Sequence, residues 1–186
     1  MFMILQSAVV AAAVLLAPTP EPSPIPSDMH SLLAYGKGWM FGAHEPDGWT
    51  GYTEHSDEIG SNVYFLPIGQ KFGQDGVIIR VSILPKDFGD DVGRDLTTDM
   101  ARYKTATPDI KFSDFSAEYP GGTVYAKIYG LKRADEYVSY VNPGHTIDYY
   151  FIVSLDPPPK QRASDSDIAA YRAVIKTLTF LGQPKH

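Results

Sequence analysis

The sequence predicts a mixed α+β fold, in which an antiparallel sheet of six to seven strands carries helices on its faces. The first observation is a series of short segments in which apolar and polar residues alternate between turn signals, as strands require. The second is a change to helical period over residues 87–107 and again after Ser164. The third is that the last four predicted strands follow one another through short turn-rich loops, which makes them an antiparallel meander.

The elements follow from these patterns in order. Turn residues delimit the strands, and prolines end strands and helices. Ile79, Val81 and Ile83 give one strand a fully apolar face, which favours a place in the middle of the sheet. We predict a helical turn at 29–35, strands from Trp39, at 62–66 and at 77–84, a helix over 87–107, strands at 110–119, 123–131, 136–141 and 146–155, and a helix opened by Ser164 with Asp167 in a variant of the capping box.

The first 27 residues precede this domain. Residues 1–17 carry no charged side chain and are mostly apolar, which is typical of a signal peptide or signal anchor, although the usual basic start is missing. In residues 18–27 every second position is a proline, and this pattern favours an extended polyproline II linker. We therefore expect one domain over 28–186 in a periplasmic or secreted protein, either released by cleavage or tethered by the uncleaved segment.

Composition narrows the classes of function. The chain of 186 residues has no cysteine, which excludes disulfides, thiolate metal sites and a cysteine nucleophile. Its formal net charge is −6, its pI is near 5.2, and its basic residues are scattered. This balance argues against nucleic acid and anionic membrane surfaces as partners. We expect another protein as the partner, and membrane contact only through the N-terminal apolar segment.

No motif in the sequence names a reaction. Gly-x-Ser-x-Gly, Ser-x-x-Lys and the glycine-rich nucleotide motifs are absent, although a scattered catalytic triad stays open. The acidic residues between Asp87 and Asp99 lack the ligand alternation of a calcium loop, and acids at a helix start have a simpler dipole explanation. We therefore predict no catalytic residue and no cofactor.

The polar loop around Trp49 holds the richest set of metal-ligand residue types. Its candidate ligands are His44, Glu54, His55 and Asp57, with Glu45 beside them. Zinc needs three or four such side chains converging on one point, and this spacing matches no known metal motif. A solvated polar loop is one interpretation, and a small metal-dependent hydrolase that uses the His44/His55 loop is the alternative.

Tyrosines crowd the predicted meander and suggest a binding surface. Tyr125 and Tyr129 share a strand face with Lys127, and Trp49 follows a turn in the polar loop. Tyrosine suits a surface that is apolar and keeps its hydroxyl in water, and it equally suits a sheet face covered by a helix. The candidate binding residues are Trp49, Tyr125, Lys127 and Tyr129.

Four features in this order resemble the PsbP-like family. They are the Phe41 strand running into Pro46-Asp47-Gly48-Trp49, the helix after the third strand, the Pro120-Gly121-Gly122 hairpin, and the closing segment 171–180, where relatives often have Ser in place of Thr177. The resemblance covers about residues 39–180. It implies the α/β/α sandwich shared by the photosystem II extrinsic protein, the Ran-binding Mog protein and exported bacterial relatives. Nothing here matches the residues by which the photosynthetic or Ran-binding members engage their partners.

Members of this family typically bind other proteins or assist assembly, and most are not enzymes. We therefore expect an exported, non-catalytic protein-binding or assembly factor of the cell envelope. An inhibitor or immunity protein that neutralises a toxin is an alternative, because an acidic surface suits a basic target.

Overall fold

The computed structural model describes residues 31–87 and 89–182. The predicted leader, the linker and the first three residues of the predicted domain lie outside the described residues. Within them the chain forms β1 (Ser31–Gly36), β2 (Trp39–His44), β3 (Trp49–Tyr52), β4 (Val63–Pro67), β5 (Ile78–Pro85), α1 (Val92–Ala106), β6 (Lys111–Asp114), β7 (Thr123–Gly130), β8 (Asp135–Asn142), β9 (Tyr149–Asp156), α2 (Asp165–Thr177) and β10 (Thr179–Gly182). Neither helix in this part of the chain is long and apolar enough to cross a membrane.

The strands form two antiparallel sheets, so the mixed α+β class is confirmed. The large sheet has seven strands in the order β3-β4-β5-β9-β8-β7-β6, and the small one has the order β1-β2-β10. The predicted meander is present, because β6 to β9 are neighbours in chain order. β5 pairs with β4 on one side and β9 on the other, in the interior of the sheet, as its apolar face predicts.

The small sheet is a correction to the sequence prediction. Residues 31–35 are not helical: β1 pairs with β2 from Ser31 opposite His44 to Gly36 opposite Trp39. Gly38, with φ of 88°, allows the tight turn between the two strands. β3 and β10, four residues each, were not predicted either. Segments this short become strands because a partner strand is present, and that partner is not visible in local sequence.

The two helices cover opposite faces of the large sheet. On one face, Phe151 and Val153 of β9 pack in a core with Tyr171 of α2 and Phe41 of β2. On the other face, Tyr150 of β9 packs in a second core with α1. Because successive side chains of a strand point to opposite faces, β9 contributes side chains to both cores.

The helix ends agree with their capping residues. Ser164 opens α2 with the reciprocal capping box to Asp167 that the sequence predicts. α1 begins at Val92, five residues later than predicted, with Asp91 as its N-cap. Gly89, with φ of 60°, holds a left-handed turn just before this start.

Candidate functional site

The predicted tyrosine surface is only partly exposed. Tyr125, Lys127 and Tyr129 alternate along β7 and share one face, as predicted, and this is the face that α1 covers. Tyr129 is fully buried, and its hydroxyl donates a hydrogen bond of 2.9 Å to Asp99 of α1. Tyr125 is 38% exposed and lies beside the first turn of α1. The covering helix therefore accounts for the burial of Tyr129, whereas the ring of Tyr125 stays partly exposed.

The other two candidate binding residues do not extend this surface. Trp49 is 8% exposed and packs in the core on the opposite face of the large sheet. The Lys127 ammonium group pairs with Asp114 on the neighbouring strand. The structure thus does not bring Trp49, Tyr125, Lys127 and Tyr129 together as one preformed binding surface.

The candidate metal ligands are not gathered into a metal centre. His55 Nδ1 lies 2.7 Å from Glu58 Oε1, and the His55 ring stacks on Phe72 with centroids 5.0 Å apart. The hydrogen bond and charge of Glu58 raise the pKa of His55. His44 ends β2, where its backbone N–H donates to Thr177 Oγ1 at 3.1 Å.

Glu45, the neighbour of these candidates, accepts a hydrogen bond of 2.8 Å from the Gly51 backbone. Among residues 31–87 and 89–182, no group of three or more His, Asp or Glu side chains is placed to hold a metal ion. His44, Glu54, His55 and Asp57 are therefore not brought together as a zinc site in the described structure.

A groove runs along the large sheet beside α1. Because α1 packs over β7 and β8, it leaves the same face of β5 and β9 open to a row of three adjoining cavities. Their volumes are about 350, 240 and 320 Å³. The first and second share Arg80 and Glu136, and the second and third share Asp99 and Tyr140. We call this row the α1 groove.

Acidic side chains outnumber basic ones in the lining of the α1 groove. Seven carboxyl groups and three guanidinium groups line it: Asp75, Asp87, Asp95, Asp99, Asp135, Glu136 and Asp156, and Arg80, Arg102 and Arg133. The excess of acids on one concave surface attracts cationic groups and concentrates their field there. The net charge of the chain, −6, has the same sign.

Arg80 and two carboxyl groups meet where the first and second cavities join. Arg80 Nη2 lies 2.6 Å from Asp156 Oδ2 and 3.2 Å from Glu136 Oε1. Arg80 comes from β5, Asp156 ends β9 and Glu136 is the second residue of β8, so three neighbouring strands supply the cluster. Arg80 Nη1 also donates to the Ile59 carbonyl at 3.3 Å.

Burial changes the protonation of this cluster. It raises the pKa of Glu136 to about 7, and the nearby Asp156 charge adds to the rise while Arg80 opposes it. Burial also raises the pKa of Asp156, against the lowering effect of Arg80. The pair of carboxyl groups that shares this guanidinium therefore holds a proton more readily than free carboxyl groups do, and a second cation nearby would favour the charged form.

In the middle of the groove, Asp99 is surrounded by tyrosines, of which Tyr103 and Tyr140 line the cavity and Tyr129 is fully buried. Tyr129 and Tyr140 both hydrogen-bond Asp99, and Tyr103 packs edge-on against Tyr129 with ring centroids 5.0 Å apart. Burial raises the pKa of Tyr103 to about 12, so its hydroxyl keeps its proton and serves as a donor or acceptor. The groove therefore has fixed polar groups at its centre and apolar ring surface around them.

The sequence pointed to tyrosines and missed Arg80, Glu136 and Asp156. One signal was present: Arg80 stands in the middle of an otherwise largely apolar strand, where an unpaired charge would be costly. Its two partners lie 56 and 76 residues further along the chain, so their meeting depends on the strand order.

No protein-family model matches the chain, and no curated protein sequence is significantly similar to it. The geometry and charge of the α1 groove are therefore the basis for a functional assignment.

Proposed function

We propose that the protein is an exported, non-catalytic binding or assembly factor of the cell envelope, and that its α1 groove receives a basic, extended segment of another protein. The observation that carries the proposal is the Arg80–Glu136–Asp156 cluster at the junction of two cavities in an acidic groove. An acidic surface of this kind steers a basic partner and discriminates against an acidic one.

The lining suits lysine and arginine side chains in particular. Ile78, Leu131, Pro157 and Pro159 line the first cavity together with its charged groups. A basic side chain has an apolar stem and a charged head, so the stem can lie on these residues while the head meets a carboxyl group. An entirely apolar segment would leave the carboxyl groups of this lining without a partner, and an acidic segment would be repelled by them.

A PsbP-like α/β/α sandwich is the architecture that we propose for this factor. The resemblance of residues 39–180 supports it, together with the packing of α1 and α2 on opposite faces of a seven-stranded antiparallel sheet. The uncharged, apolar residues 1–17 followed by a proline-rich segment support export. A role in binding or assembly agrees with what this family typically does.

Acid–base catalysis at Glu136 and Asp156 is the second candidate function. The pKa of Glu136, raised by burial to about 7, favours it because an efficient general acid or base titrates near the working pH. In the present geometry Arg80 contacts both carboxyl groups, which favours a binding role over proton transfer. The two candidates differ in their readout: a catalyst turns a ligand over, and a binding module releases it unchanged.

A peptide titration tests the binding proposal. The full chain is titrated with a short peptide in which lysine alternates with threonine, and with a matched peptide in which glutamate replaces lysine. We expect saturable binding of the lysine peptide that weakens as salt is added, because the contact is largely electrostatic. The glutamate peptide is expected not to bind.

Two variants with the same change of charge locate the binding. Glu136→Gln removes a carboxyl group from the groove, and Glu118→Gln removes an exposed one that lines none of its three cavities. We expect about five- to tenfold weaker binding for Glu136→Gln and no change for Glu118→Gln. Equal affinity for the natural chain and both variants, or binding of both peptides alike, would refute the proposal.

A further inference from the structure

The third cavity of the α1 groove differs from the other two in holding an unsatisfied buried carboxyl group. Asp95, in the first turns of α1, is 8% exposed and lines this cavity. Its Oδ2 atom has no hydrogen-bond partner. A buried acceptor without a donor costs stability, and a donor group entering the cavity would remove this cost.

The surroundings of Asp95 supply no full counter-charge. Burial raises the pKa of Asp95, the charges of Asp87 and Asp91 add to the rise, and Arg94 offsets it only in part. Arg102 also lines the cavity, but it is exposed and does not reach Asp95 Oδ2. The contrast with Asp99 is clear, because tyrosine hydroxyls donate to that carboxyl group.

Aromatic rings complete the wall of this cavity. Tyr140 and Tyr150 stack with ring centroids 5.6 Å apart and an angle of 17° between their planes, and both line the cavity. Ring faces attract a cation that has left water, and a carboxyl group next to them accepts its N–H donors. The cavity, of about 320 Å³, has room for such a group and several methylenes.

We propose that the third cavity binds a primary ammonium group on a flexible alkyl chain, with Asp95 Oδ2 as its acceptor and Tyr140 and Tyr150 beside it. An ammonium group has three donors and no acceptor, which matches a site of carboxyl oxygens and ring faces. The group belongs either to a lysine of the partner protein, in which case the site rests on the proposed function, or to a free alkyl diamine.

The test compares Asp95→Asn with Asp109→Asn in the full chain. Both remove one carboxyl charge, and Asp109 is an exposed residue that lines none of the groove's cavities. The probes are cadaverine, Nα-acetyl-lysine amide and Nα-acetyl-norleucine amide, with binding followed by calorimetry. We expect the natural chain and Asp109→Asn to bind the two amines and not the norleucine compound. We expect Asp95→Asn to bind the amines at least about tenfold more weakly.

Urea unfolding separates a binding role from a structural one. Asp95→Asn removes a buried, unsatisfied charge, so we expect a midpoint equal to or higher than that of the natural chain in spite of the loss of amine binding. A lowered midpoint, unchanged amine affinity in Asp95→Asn, or no saturable amine binding by the natural chain would overturn the proposal.

The amine titration and the peptide titration can fail separately. If cadaverine binds through Asp95 and the lysine peptide does not bind, the ammonium site stands with a free amine as its ligand and the protein-binding function falls. If the lysine peptide binds through Glu136 and Asp95→Asn leaves its affinity and that of both amines unchanged, the groove stands and the ammonium site falls.

Discussion

Arg80 pairs with the two partly buried carboxyl groups of Glu136 and Asp156, and removing it leaves both without this counter-charge. We predict that Arg80→Met lowers the free energy of unfolding by about 2 kcal/mol, because two partly buried carboxyl groups lose their counter-charge, which costs more than a lost surface pair. Urea unfolding measures the change. The control is Arg133→Met. Arg133 Nη2 lies 3.6 Å from Asp75 Oδ1 and both side chains are exposed, so the loss of this ion pair should cost no more than about 0.5 kcal/mol. Equal costs for the two variants would contradict the assignment.

Glu136 gives the stability of the fold a pH dependence of defined sign. Its pKa is about 7 in the folded chain against an ordinary value of 4.5, so between these two values the folded state binds more protons than the unfolded state. The free energy of unfolding must therefore fall as pH rises through this window, by up to about 3 kcal/mol. Asp156, whose pKa is also raised, acts in the same direction.

We predict that Glu136→Gln flattens this part of the stability profile. Urea unfolding near pH 5 and near pH 8 should give a clearly smaller difference for Glu136→Gln than for the natural chain, and Glu118→Gln should behave like the natural chain. A profile in Glu136→Gln as steep as in the natural chain would show that other groups control the dependence.

At the scale of single elements, the hairpin before β7 depends on a close backbone approach. A Cβ atom on Gly122 would lie 1.9 Å from the Asn142 carbonyl oxygen, which belongs to the neighbouring β8. We predict that Gly122→Ala costs at least about 2 kcal/mol in unfolding free energy, because one of the two strands must move. In Gly121→Ala the nearest atoms belong to the Tyr119 side chain, which can rotate away, so the cost should be smaller. A larger loss in Gly121→Ala would contradict this.

Elements with local signals could be predicted from sequence, and elements that need a distant partner could not. The amphipathic period, Ser164 and Asp167 were sufficient for α2, and turn residues were sufficient for the order of the meander. β1 and β10 become strands only because β2 lies between them, and residues 36 and 179 are far apart in the chain. The missed site residues follow the same rule, since Arg80, Glu136 and Asp156 meet through strand order alone.

At the scale of the whole molecule, the α1 groove results from how the helices and the small sheet cover the two faces of the large sheet. α2 and the small sheet together cover one face of the large sheet, while α1 alone covers the other and leaves the strip over β5 and β9 that becomes the groove. The sequence predicts the layers and the acidic net charge, and the position of the strip depends on where α1 lies across the sheet. Of the tyrosines in the meander, Tyr140 and Tyr150 line this groove, whereas Tyr129 is buried under α1 and Tyr125 lies outside the three cavities.

Mapping a bound basic peptide by backbone amide chemical shifts tests the central claim most directly. We predict that the lysine and threonine peptide shifts amides of β5, β8, β9 and α1 along the groove, in a saturable way that salt suppresses and Glu136→Gln weakens. Shifts concentrated in the small sheet or on the outer face of α2, or no saturable shift at all, would contradict the account.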